Sequence, residues 1–180
     1  MWRAPRAPRQ TLGVSSRLRF CTYCSTGLSS FIYLLADYGH YIKGESGIAL
    51  AEVWKDLPVT YRSVAIPHMP NFFLLNGPYS PGGTASIVGI VEVQAAYLMQ
   101  VIERIATRNV TLAPRAEACA RWLESARERA RGTVWNNGGC KSWYLDKSGT
   151  PAFDPITLSA LEAAMTTPDF ADFVERPAET

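Results

Sequence analysis

Pro70-Asn-Phe-Phe-Leu-Leu-Asn-Gly-Pro-Tyr-Ser-Pro-Gly-Gly-Thr84, running on into Ala85-Ser-Ile-Val-Gly-Ile-Val-Glu92, is the stretch around which the chain is organised. Phe72 to Leu75 is a continuous apolar run between Pro70 and Gly77, the pattern of a short buried strand. Pro78, Pro81, Gly82 and Gly83 punctuate a turn. From Ile87 onward, apolar residues fall at Ile90/Val91, Tyr97/Leu98, Val101/Ile102 and Ile105. That spacing of three and four predicts a helix with one buried face. Thr84 or Ser86 stands where the first turn of that helix is capped.

A strand, a Gly/Pro-rich turn and a helix start together present backbone N–H groups at the positive end of a helix dipole. Such a corner suits an electron-rich ligand oxygen: a phosphate, a carbonyl or the edge of a flavin ring. The same corner also occurs as plain architecture with no ligand, and local chemistry leaves both readings open.

The 180 residues suffice for one domain with a real core and are too few for two large ones. An apolar fraction of 47% is ordinary for a globular protein. No window approaches a membrane-spanning run of about 18 apolar residues. The net charge of +2 hides an asymmetry, because Arg3, Arg6, Arg9, Arg17 and Arg19 precede the first acidic residue, Asp37. The remainder carries 13 basic and 16 acidic residues, a mildly acidic body that argues against nucleic-acid binding. The four cysteines are Cys21, Cys24, Cys119 and Cys140. Cys21-x-x-Cys24 lacks the second pair or spaced histidines of a zinc site, and no helix start follows to activate a thiolate, so no metal is expected. Cysteines this few and irregular point to a reducing, cytoplasmic setting. The Arg- and Ser-containing, acid-free start also has the composition of an organellar transit peptide.

Outward from the central stretch, residues 1–24 read as a disordered or misassigned tail, with a short strand expected to begin at Arg19. A loop with Gly44 and Gly47 leads to a short helix over Ile48 to Lys55, and Tyr61 to Ile66 reads as a strand. Thr107 to Leu112 reads as a loop. Pro114 is placed in the first turn of a second long helix that ends at Gly132. The apolar side of that helix is Ala116, Cys119/Ala120, Leu123, Ala126 and Ala130; its other side, rich in Arg and Glu, reads as a solvated face. Trp135 to Pro155 is Gly-rich with interleaved aromatics, the composition of a binding loop or of a pinned aromatic cluster. Asp154-Pro155 is expected to open a last helix, and residues 171–180 to form a fraying acidic tail.

Taken together, Pro70-Asn-Phe-Phe-Leu-Leu-Asn-Gly-Pro-Tyr-Ser-Pro81, the helix after it, and Cys140-Lys-Ser-Trp-Tyr-Leu-Asp146 resemble the C-terminal part of flavin-dependent monooxygenases of the Baeyer–Villiger type, such as cyclohexanone and phenylacetone monooxygenases. The resemblance covers about residues 25–170, including Leu50-Ala-Glu-Val-Trp54 and Tyr61-Arg-Ser-Val-Ala-Ile-Pro67. It implies an α/β fold, the C-terminal portion of a Rossmann-like FAD/NAD(P)-binding fold, with three main helices, few strands and an incomplete sheet. It implies FAD and NADPH as cofactors and insertion of one oxygen of O2 into a ketone or soft heteroatom. By the same resemblance Gly77, Pro78, Ser86 and Ile87 lie along the flavin ring, with their backbone N–H groups toward its pyrimidine oxygen. Trp143 matches a Trp that reaches the ribose of the nicotinamide cofactor, with Lys141, Ser142 and Tyr144 as neighbours.

Three departures qualify the match. No Gly-x-Gly-x-x-Gly occurs, so both phosphate-binding fingerprints are lacking. No residue matches the family's catalytic Arg, and His68-Met69 stands where the family has Gly-Phe. The reading is therefore a monooxygenase portion that is inactive alone, with a partner chain supplying the rest. A non-catalytic binding protein derived from such an enzyme is the alternative. A truncated core is also expected to leave apolar surface exposed, notably Phe72–Leu75 if its sheet neighbours are absent.

Overall fold

The computed structural model describes the backbone of residues 19–21 and 137 and the whole of residues 39–83, 85–136, 145–146 and 149–178. Strand β1, Arg19–Cys21, runs parallel to β2, Phe72–Leu74, with Arg19 opposite Phe72 and Cys21 opposite Leu74. Between them lies the short helix α1, Leu50–Val53, preceded by a single 3-10 turn at Glu45–Gly47. The Ala49 N–H donates to the Glu52 carboxylate (2.9 Å), which closes the start of α1 in place of a conventional cap.

The helix expected after the turn is α2, Ile87–Arg108, ended by Asn109 in the left-handed conformation (φ 51°). Its buried face is Ile90, Gln94, Tyr97, Leu98, Val101 and Ile105. Strand β3, Val110–Pro114, follows directly and leads into α3, Ala116–Arg131. A single turn, α4 (Val134–Asn137), and α5 (Leu158–Ala164) precede β4, Phe173–Pro177. The last strand pairs antiparallel with β3, Val110 opposite Pro177 and Pro114 opposite Phe173. The fold is α/β, as the resemblance implied.

Two clusters share β2. Phe73 faces the main core of Tyr61, Val64, Ile90, Tyr97, Leu98, Val101, Leu112, Cys119 and Phe173. Leu74 faces a smaller cluster of Leu50, Trp54, Ile66 and Met69. The alternation of strand side chains thus joins the two. Asn71, at φ 56°, joins β2 to β3: its N–H donates to Leu112 O (2.9 Å), and its Oδ1 accepts from Leu112 N–H (3.0 Å).

Several expectations are corrected. Thr107 to Leu112 is no loop, since β3 begins at Val110 and Pro114 ends it; Arg115 is the N-cap of α3. Tyr61 to Ile66 is no strand but a tight turn. Arg62 and Ser63 are left-handed (φ 51° and 60°), and Tyr61 N–H donates to Ala65 O (2.8 Å). From Asp169 to Ala178 the segment does not fray, because Phe173 buries its ring edge-on against Tyr61 (5.5 Å between centroids) and Phe173–Pro177 forms a strand. Asp154 caps no helix; α5 begins at Leu158, and Thr157 Oγ1 accepts from Ala160 N–H. Phe72–Leu75 is not left bare, since Phe73 and Leu74 are buried and their neighbours half-buried. Among the described residues the large exposed apolar side chains are Tyr41, Ile87, Val88, Met99, Val134 and Trp135.

Candidate functional site

The corner after β2 is built from three locks. The first is a β-turn closed by Ser80 N–H donating to Gly77 O (3.0 Å), with Pro78 and Tyr79 at its centre. Pro78 sets the first corner, whereas Tyr79 adopts φ 57°, a conformation better suited to Gly or Asn. Gly77 is required by contact: an added Cβ would lie 2.2 Å from the Ser63 carbonyl oxygen.

The second lock is Gln94, fully buried on α2. Its Oε1 accepts from Asn76 N–H (2.6 Å), and its Nε2 donates to Ser80 Oγ (3.0 Å). Both ends of the turn are therefore pinned to the helix that the turn leads into.

The third lock comes from α3. Arg127 lies 3.5 Å from Asp146, which accepts from the Tyr79 hydroxyl (2.8 Å). Arg129 holds Asp154 through both carboxylate oxygens (2.8 and 2.5 Å), and Asp154 is wholly buried. The backbone of Asp154 bonds Ser80 O (3.2 Å) and Gly82 N–H (3.1 Å). Desolvation, then the Asp146 carboxylate, pushes the Tyr79 phenol well above its ordinary value, so it stays a donor. The charged side of α3 is thus no mere solvated face. Arg131 does pair along the helix with Glu124 and Glu128, but Arg121, Arg127 and Arg129 reach Asp172, Asp146 and Asp154.

The sequence-derived site residues divide accordingly. Gly77 and Pro78 are buried, and the Gly77 N–H is spent on Ser63 O (3.0 Å). Pro78 has no N–H, and its carbonyl accepts from Thr60 Oγ1 (3.1 Å). Neither residue therefore turns a backbone donor outward, which corrects that part of the expectation. Ser86 and Ile87 do lie at an open helix start. Ser86 is the N-cap by position, but its side chain makes no capping bond. The first helical bond runs from Ile90 N–H to Ser86 O (3.0 Å). The N–H groups of Ile87, Val88 and Gly89 consequently have no acceptor among the described residues. Ile87 (45% exposed) and Val88 (67%) put an apolar surface beside those donors. Thr84, Trp143, Lys141, Ser142, Tyr144 and Cys24 lie outside the described residues. Of the aromatics expected to cluster there, Trp135 packs edge-on against Phe153 (5.4 Å).

Gln94 and the two Arg–Asp pairs were not foreseen. Gln94 carried a signal, as the single polar residue among the buried positions of α2. The pairs carried none, because nothing in spacing says which Arg of a charged helix face meets a distant Asp. A depression of about 560 Å³ on the flank of α3, lined by Arg121, Glu124, Ser125, Glu128 and Arg129, shares only Arg129 with the corner. Among the described residues no group of His, Cys, Asp and Glu could hold a metal ion, and no helix is long and apolar enough to cross a membrane.

No family model matches the chain. A curated Baeyer–Villiger monooxygenase of Streptomyces coelicolor is 34% identical over 141 residues, covering 76% of this chain and 27% of that protein. An uncharacterised monooxygenase of Mycobacterium tuberculosis is 37% identical over 116 residues, covering 64% of this chain and 23% of that protein. A solved steroid monooxygenase bound to NADP superposes with a TM-score of 0.65 at 28% identity, over 74% of this chain and 26% of that one. A closed structure of cyclohexanone monooxygenase gives 0.65 at 24% identity over 80% and 28%, a likeness of fold. The chain spans about a quarter of the length of these proteins.

Proposed function

Because the chain is homologous to a part of the flavin-dependent, Baeyer–Villiger-type monooxygenases, we propose that it forms the flavin-facing corner of such an enzyme and does not turn over substrate alone. The observation that carries this reading is the open start of α2: three backbone N–H groups without acceptors among the described residues, flanked by exposed Ile87 and Val88. Those residues fit the edge of a flavin, whose ring is flat and apolar and whose pyrimidine rim is electron-rich. The chain lacks the Gly-x-Gly-x-x-Gly that cradles the pyrophosphates of FAD and NADPH.

When bound, reduced FAD supplies the activation of O2, and NADPH supplies the hydride. The part of this chain is to bind and orient. The N–H groups of Ile87 to Gly89 hold the electron-rich rim, and the side chains of Ile87 and Val88 keep water from it. Gly77 and Pro78 act from behind, by fixing the turn through Ser63 and Thr60. In this reading Trp143 serves the nicotinamide ribose, and a partner chain supplies the phosphate-binding parts. The substrate is a small ketone or soft heteroatom compound, the setting cytoplasmic.

FAD titration of the purified chain tests the reading. We expect saturable quenching of flavin fluorescence and a rise in melting temperature with FAD concentration. Val88→Glu should weaken FAD by at least about tenfold while keeping or raising the melting temperature, because a carboxylate suits a helix start but repels the flavin rim. Absence of saturable binding by the wild-type chain overturns the proposal.

A further inference from the structure

Away from the corner, Arg62 lies among three aromatic rings, with its guanidinium carbon 5.2 Å from the Tyr61 ring, 5.4 Å from that of Tyr97 and 5.5 Å from that of Trp122. Stacking on ring faces satisfies part of the charge of a guanidinium but none of its hydrogen-bonding capacity. Nε and Nη1 of Arg62 are buried without a partner. The same holds for the hydroxyl of Tyr97, a residue with no exposed surface, and for Nε1 of Trp122. Buried donors are nearly always matched by an acceptor, and leaving them unmatched costs about 1–3 kcal/mol each.

The neighbouring charges are already committed. Arg121 pairs with Asp172 (2.5 Å), which also accepts from the Tyr61 hydroxyl (2.6 Å). Arg129, also over the Trp122 ring (5.6 Å), is held by Asp154. Among the described residues no carboxylate lies within 4.0 Å of Arg62. Among the described residues the Tyr61 hydroxyl oxygen, whose proton goes to Asp172, is an acceptor that faces Arg62 and Tyr97, so the cluster still holds more donors than acceptors.

We propose that Arg62, Tyr97 and Trp122 form a binding site for a small oxyanion of the carboxylate or phosphate class. The anion accepts from Nε or Nη1 of Arg62, from the Tyr97 hydroxyl and from Trp122 Nε1, and compensates the Arg62 charge. Arg62 is only half-buried, which leaves a way in. The left-handed φ of Arg62 (51°) is part of the site, because the tight turn directs its side chain back over Tyr61. The site lies behind the open start of α2 and not at it: Tyr97 is ten residues along α2 from Ile87, about 15 Å of helix rise, while Arg62 adjoins Ser63, which holds the turn from behind.

The test is a titration of the purified chain with formate and, separately, inorganic phosphate at constant ionic strength, read by tryptophan fluorescence and melting temperature. We expect a saturable response to at least one anion. Arg62→Gln should abolish it, and Tyr97→Phe should raise the dissociation constant about tenfold while keeping the ring. Both anions stabilise proteins weakly by exclusion from the surface, so the decisive quantity is the difference between wild type and variant. A wild-type response that is absent, or matched by Tyr97→Phe and Arg62→Gln alike, overturns the proposal and leaves internal water as the acceptor. Should Arg62→Gln fail to fold, Tyr97→Phe and Trp122→Phe decide alone. No flavin enters the assay, so its outcome is independent of the proposed function.

Discussion

At the scale of single residues, the chain uses burial to silence groups that sequence alone makes look reactive. Cys119 sits in the main core with no exposed surface, and desolvation pushes its thiol up to about 12. The thiol is a packing residue. A raised pKa in the folded state gives stability that is intact below the thiol's unfolded value and is lost as pH climbs toward 12. Cys119→Ala removes that dependence. The melting temperature of the wild-type chain should fall more steeply than that of the variant between pH 9 and 11. The gap opens by up to about 1.4 kcal/mol per pH unit in that window. A thiol reagent at pH 8 should label Cys119 only at the rate of unfolding. Equal alkaline slopes, or fast labelling of Cys119 itself in the native chain, contradict the assignment. Tyr97 belongs to the same class, its phenol driven upward chiefly by burial.

At the scale of elements, the decisive contacts are those that bind a turn to its helix. Gln94→Leu preserves volume but strands the Asn76 N–H and the Ser80 hydroxyl. We expect a loss of about 2–4 kcal/mol, two unmet buried polar groups at about 1–2 each. Amide exchange at Asn76 and Ser80 should accelerate more than exchange along α2. Uniform acceleration would mean that Gln94 supports the whole core and not the turn. What the sequence made legible follows the same division. The 3.6-residue period carried α2 and α3, because burial of one helical face leaves a repeating mark. Strand β3 and the start of α5 were misread. Val110–Pro114 is a five-residue strand whose burial comes from a partner some sixty residues later, β4, and no local pattern reports such pairing. Asp154-Pro155 has the chemistry of a helix start, but the Asp154 carboxylate holds Arg129 and the Ile156 N–H in a turn, and the helix is capped by Thr157 instead. The open donors at Ile87 to Gly89 were legible from the corner's composition; the occupied N–H of Gly77 was not, because Ser63 reaches it through a turn that required two non-glycine residues with positive φ.

At the scale of the whole molecule, the end of the chain closes the core. Phe173 lies between Tyr61 and Phe170, β4 completes the sheet with β3, and Arg104 and Arg108 of α2 meet Glu175 (2.8 and 3.5 Å). Tyr61 reaches Asp172 across 111 residues of sequence. A fraying tail would make Phe173→Ala a local event. A closing strand makes it global, at about 3–5 kcal/mol for a buried Phe, a large share of the roughly 5–15 kcal/mol that holds a domain folded. Far-UV circular dichroism, tryptophan fluorescence and Cys119 labelling should therefore shift together in Phe173→Ala, by the same number of degrees. Val134→Ala is the control: its side chain is 78% exposed, and its melting temperature should stay at the wild-type value. If Phe173→Ala changes only the exchange of Val110–Pro114 amides and leaves the global melt in place, β4 is an accessory strand, and the core is held by α2, α3 and the Asp154–Arg129 pair without it.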